Sequence, residues 1–261
     1  MRNLFLKAAG LIAIFFVPFS SLAQSKGFQR FQLGYSFPMT KAKYTERYLI
    51  YQDLSDDNID TTMSKDVRTK GGFGITLGHF FPVAKMGEKS SLNISIDFLY
   101  NMMVWDAEMV DVSGYDYSTG SYSYNTTYVI SAATVHWGLP IGVDFKTGGE
   151  ATLDRSSKLS MTLGTGIYPS LNLTVFETNA GAKTKIQPYL KAEVGVFAGI
   201  NWKVRALYSF GKLEYIDYSD VESGSSYAYE SSASLVSKST LTLSLLVMPG
   251  SFKWGKNEWW R

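Results

Sequence analysis

Apolar and polar residues alternate with a period of two along most of the chain. Phe31, Leu33, Tyr35 and Phe37 are separated by Gln32, Gly34 and Ser36, and Phe73, Ile75 and Leu77 by Gly74 and Thr76. The same alternation runs through Leu92–Met102, Val135–Phe145, Leu159–Leu163, Leu190–Val196, Trp202–Phe210 and Leu241–Val247. Successive side chains on a strand point to opposite faces, so each run predicts a strand with one apolar and one polar face. That makes eight strands, each near the ~10 residues a tilted membrane strand needs.

The connections sort by length. Long segments (roughly 38–70, 106–127, 169–185 and 211–238) alternate with shorter ones (83–90, 147–157 and a tight turn at Gly199-Ile200-Asn201). Long loops on one side and short turns on the other is the layout of an outer-membrane barrel. A soluble sandwich has no reason to segregate its loops in this way. The predicted fold is all-β, an antiparallel transmembrane β-barrel of eight strands. Ten strands is the alternative, should Tyr44–Tyr51 or residues 225–236 pair as separate strands.

Aromatic residues fall at both ends of the predicted strands. Phe28, Phe80, Phe81, Phe145 and Trp202 lie near the lower ends, where the short turns are. Tyr35, Phe37, Tyr100, Trp105, Tyr128, Tyr189, Tyr208 and Phe210 lie near the upper ends. Two belts of this kind suit the two lipid–water boundaries.

The N-terminus has Arg2 and Lys7, an uncharged apolar run from Ala8 to Phe19, and then Ser21-Leu22-Ala23 before Gln24. This is the pattern of a cleaved secretory signal peptide over 1–23. The apolar run is too short for a membrane helix, which needs ~20 residues. Residues 24–250 then form the barrel, and 251–261 an aromatic and basic tail whose Trp rings would lie in the headgroup layer.

Composition narrows the chemistry. There are 25 Lys+Arg against 23 Asp+Glu, and the signal segment takes away two of the cations, so no basic footprint for nucleic acid remains. The absence of Cys excludes disulfides, thiolate metal sites and cysteine nucleophiles. No phosphate loop, dinucleotide fingerprint or hydrolase elbow is present, and no cofactor is expected. Gly72, Gly74 and Gly78 on one strand face predict wall curvature or a bulky neighbour packed inside.

The signal end Ser21-Leu22-Ala23-Gln24, the Gly-rich second strand and the stretch VHWGLPIGVDFK (Val135 to Lys146) resemble the small outer-membrane barrels of Bacteroidetes-type bacteria. These form the PorT-like or outer membrane protein beta-barrel domain family. The resemblance implies an integral outer-membrane protein of a Gram-negative cell envelope. One branch of that family assists a protein secretion system.

Parity along the strands turns Arg30, Lys191, Lys203 and Arg205 inward with Asp97, Asp144, Glu193 and His136. Eight strands leave room inside only for side chains, so these groups are expected to pair as a lumenal charge network and plug the barrel. A selectivity ring or proton relay is the competing use. His136 and His79 are the only imidazoles, and neither sits in a catalytic motif. Asp53, Asp56, Asp57, Asp60 and Asp66 lack the spacing of a calcium loop. Tyr115, Tyr117, Tyr122, Tyr124, Tyr227 and Tyr229 stand among Ser and Gly, a composition used by recognition loops or by strands continuing above the membrane.

The expected function is therefore a non-enzymatic outer-membrane barrel whose loops or wall bind a partner or dock in an envelope complex. Its expected partners are outer-membrane lipid, lipopolysaccharide and an envelope protein. The alternatives are an accessory barrel of a secretion or assembly machine, and a lipid A acyltransferase or deacylase around His136.

Overall fold

The computed structural model describes residues 26–255 apart from 53–58, 112–114, 117–120, 123–125, 177–178 and 224–226. Residues 1–25, which include the predicted signal segment, and residues 256–261 lie outside it, as do Tyr117, Tyr124, Asp53, Asp56 and Asp57. The alternating runs do become strands: β1 (Phe31–Gln52), β2 (Ile59–Lys85), β3 (Ser90–Asp111), β4 (Tyr115–Asp116), β5 (Ser121–Tyr122) and β6 (Thr126–Gly138). They continue as β7 (Ile141–Gly148), β8 (Leu159–Phe176), β9 (Asn179–Ala198), β10 (Ile200–Ser223) and β11 (Tyr227–Met248).

β6 and β7 are two halves of one wall strand. Both pair with β3 on one side and β8 on the other. Pro140, which has no N–H to give, interrupts them. Backbone bonds from Asp97 to Pro140 and from Leu139 to Pro169 carry the wall across the break. With the two halves counted once, eight antiparallel strands close on themselves, β1 pairing with both β2 and β11. β4 and β5 form a small separate pair. The ten-strand alternative fails because Tyr44–Tyr51 and the start of β11 pair with each other as extensions of strands already counted.

The long upper loops are corrected too. Most of each predicted loop is strand, and the unbroken wall strands run from 18 to 27 residues. A bilayer takes up only ~9–11 of these. The outer face marks where it lies. On β1 the exposed residues pass from Leu33, Tyr35, Phe37 and Met39 to Lys41 and Lys43. On β10 they pass from Trp202, Val204, Tyr208 and Phe210 to Lys212 and Asp217. Apolar side chains held outward around a closed wall have lipid as their natural solvent. Above that belt the outer faces of β1, β2 and β10 are polar. There Lys70 donates to Asp106 at 2.6 Å, and this bond, with one from Ser131, holds the Asp106 carboxyl below its usual range.

The predicted belts hold in part. Phe81, Phe145 and Trp202 below, and Tyr35, Phe37, Tyr208 and Phe210 above, are exposed on the outer wall. Phe80, Trp105 and Tyr189 instead point inward and are buried. The rings of Trp105 and Tyr215 lie 5.0 Å apart at a tilt of 52°, in a core with Tyr44, Met103, Phe176 and Leu235 that fills the upper lumen.

The lower mouth is closed by three short pieces: a 3-10 turn at Lys26–Arg30, the helical turn α1 (Gly149–Thr152) and a second 3-10 turn at Pro249–Lys253. Trp254 packs there with Phe80, Leu153, Met248 and Phe197, and its Nε1 donates to Gln29 O at 3.1 Å. This ring does not lie in the headgroup layer as the tail pattern predicted. It is a buried closure, because an indole with its N–H satisfied gains more by leaving water altogether.

Candidate functional site: a closed ring of charges

The lumen at the level of the lipid belt is polar, and its centre is ionic. Asp97 on β3, Asp144 and Lys146 on β7, Glu150 on α1, Lys191 and Glu193 on β9, and Lys203 and Arg205 on β10 all have fully buried side chains. Their contacts close into a circle of alternating sign. Lys191 Nζ lies 3.2 Å from Asp97 Oδ2 and 2.9 Å from Asp144 Oδ2. Lys146 Nζ follows, 3.7 Å from Asp144 and 2.7 Å from Glu150 Oε1. Lys203 joins Glu150, at 2.9 Å, to Glu193. Arg205 completes the circle, its Nε donating to Glu193 Oε1 at 2.6 Å and its guanidinium reaching Asp97 Oδ1 at 3.1 Å.

Four cations thus meet four anions, and the set is neutral. Neutrality matters because an unpaired ion in such a place costs several kcal/mol, roughly, even after relaxation. Neutral partners complete it: Gln32 donates to Asp97 at 2.9 Å and accepts from Lys203 at 2.8 Å, and Ser95 accepts from Lys191 at 2.9 Å. Lys146 also stands 4.4 Å from the centre of the Phe80 ring, tying the circle to the closed lower mouth.

Local sequence explains how the wall makes room. Gly78 lies opposite Asp97 and Gly164 opposite Asp144, and a Cβ at either glycine would collide with the carboxylate it faces. Gly74 clears Asn101 in the same way. Glu150 arrives by a different route. Gly148 takes a φ of 84°, which suits a residue without Cβ, and turns the chain back into the mouth.

Of the residues expected in the lumen, Asp97, Asp144, Lys191, Glu193, Lys203 and Arg205 are brought together. Arg30 sits half-buried on the first 3-10 turn and has no ion pair with this circle. His136 belongs to a separate layer, where its ring nitrogens lie 2.6 Å from Asn172 Oδ1 and 2.7 Å from Tyr168 OH. It is buried with both ring nitrogens engaged. His79 is held by Gly27 O at 2.9 Å and packs on Phe81. Sequence reasoning missed Lys146 and Glu150. Parity continued one step beyond Phe145 finds Lys146, but Glu150 lies in a connection that carries no alternation.

Among the described residues, no group of three or more His, Asp or Glu could hold a metal ion. No family model and no curated protein matches the chain. Among solved structures, it is similar to the attachment invasion locus protein Ail of Yersinia pestis, with 9% identity and a TM-score of 0.30 over 79% of this chain and 98% of that one. It is also similar to the outer membrane protease OmpT from Escherichia coli, with 8% identity and a TM-score of 0.42 over 84% and 96% of the two chains. The expectation of a non-enzymatic barrel is corrected by this second likeness: a protease is found among barrels similar to this one, so the fold leaves catalysis open. Likenesses this slight bring no site, substrate or activity to the chain.

Proposed function

We propose that the chain is an exported outer-membrane barrel of a Gram-negative bacterium, mature from Gln24, whose tall upper half binds or docks a partner. The observation that supports this reading is the division of β1, β2, β10 and β11 into two parts. The lower part has an apolar outer wall around an ionic lumen, and the upper part a polar outer wall around an apolar core. A chain that only had to sit in lipid has no use for the upper part. With its own core, that part is a rigid platform rather than a set of pliant loops.

Tyr115, Tyr122, Tyr227 and Tyr229 belong to strands at its rim, and Tyr117 and Tyr124 to the segments beside them. Tyr offers broad amphipathic contact at little entropic cost. Lipopolysaccharide would surround the platform, and an envelope protein would sit on it. Membership of the Bacteroidetes-type PorT-like group is part of the proposal, supported by the Leu139-Pro140 step.

Affinity purification from envelopes in mild detergent tests the reading. The wild-type chain is expected to retain a stoichiometric envelope component. A variant with Tyr115, Tyr122, Tyr227 and Tyr229 changed to Ser should lose it while keeping heat-modifiable mobility. Equal recovery with both chains, or no component with either, would contradict the binding role.

A further inference from the structure

We infer that a cationic groove on the outer wall, just above the lipid belt, holds the phosphate headgroup of an outer-leaflet lipid. The groove lies across β11, β1 and β2, has a volume of about 540 Å³, and is lined by Lys41, Lys43, Arg68 and Lys238 with Asp66 as its one acid. Its position follows from register. Met39 and Phe73, both exposed, end the apolar wall on β1 and β2; Lys41 comes next on β1, and Arg68 follows beyond Gly71 and Lys70 on β2.

Lys41 and Arg68 are direct cross-strand partners. Like charges in that relation repel, with Cβ atoms only ~5 Å apart, so the pair is unfavourable until an anion lies between them. A bulge brings the third cation. β11 pairs Ser239 with Lys41 and Ser237 with Ala42, which leaves Lys238 as an extra, outward residue. The Ser237 hydroxyl donates to Ser239 O at 2.8 Å and accepts from Ser239 N at 3.2 Å, fixing the bulge. Bulges of this kind re-aim a side chain. Here the side chain is a lysine, turned toward a pair of cations that already repel.

Lys43 stands two residues further along the same face, opposite Asp66. Among the described residues, no ion pair holds Lys41, Lys43, Arg68 or Lys238. The four cations thus outnumber the acid at the height where lipid phosphates lie. A phosphomonoester carries roughly −1.5 to −2 charge and three acceptor oxygens, which suits an Arg fork flanked by lysines. The acyl chains of the same lipid would run down the apolar wall over Met39 and Phe73. The inference rests on the membrane belt and not on which partner the rim binds.

The test uses the full chain in nanodiscs of phosphatidylcholine, with phosphatidic acid as the probe and native mass spectrometry as the readout. Changing Lys41, Arg68 and Lys238 together to Gln should weaken phosphatidic acid retention about tenfold or more, since three charge-assisted contacts are lost. Changing Lys85, Lys158 and Lys253 to Gln, an equal charge change at the lower end, should leave retention unchanged. Inorganic phosphate at the same concentration should not displace the lipid. Equal weakening by both triple variants, no weakening by the first, or full displacement by inorganic phosphate would each overturn the inference. Heat-modifiable mobility of each variant verifies folding.

Discussion

Asp97 shows how tightly single residues are specified in this lumen. It contacts Lys191, Arg205 and Gln32, and it fits only because Gly78 faces it without a Cβ. Two outcomes follow at this scale. Arg205→Leu leaves Asp97 and Glu193 short of a cation and should cost about 3–5 kcal/mol, read from urea unfolding of the protein in detergent micelles. Gly78→Ala should destabilise far more than Gly71→Ala, because the added methyl meets Asp97 at the first position and open space at the second. A Gly78→Ala chain as stable as its Gly71→Ala counterpart would mean the lumen yields more than this packing allows.

Much of this layer is legible in the sequence, since parity alone turns Asp97, Asp144, Lys191, Glu193, Lys203 and Arg205 inward. What parity cannot supply is order. That the charges alternate around a circle depends on strand register, and Glu150 depends on a turn with no periodic signal.

At the scale of elements, the eight wall strands are visible as alternation, but their ends are not. The upper halves of β1, β2, β10 and β11 are rich in Ser, Thr, Lys and Asp, the composition of a surface loop. Their apolar residues face a core inside the barrel, as Tyr44, Leu213, Tyr215 and Leu235 do, and are too sparse to mark strand from sequence. Trp254 departs from the tail pattern for a related reason. Trp and Lys in alternation match an interfacial segment, and only the fold shows that the lower mouth needs a ring to close it. Trp254→Ala should therefore cost about 3–5 kcal/mol, the usual range for emptying such a site. Deleting 251–261 should lower the unfolding midpoint in urea by at least as much. A truncated chain as stable as the full one would show that the mouth closes without Trp254.

At the scale of the whole molecule, one wall encloses two interiors: a neutral ring of ions at the depth of the lipid and an apolar core above it. Eight strands leave a lumen that side chains can fill. Here they fill it twice, and the 3-10 turns, α1 and Trp254 close the lower end as well. The described residues thus make the barrel a sealed post. That claim is tested most directly by planar-bilayer recording of the reconstituted full chain. The expected record has no stable open state in symmetric salt at either polarity. A steady, ion-selective conductance would contradict the seal, because ions could pass only if the circle of charges were open.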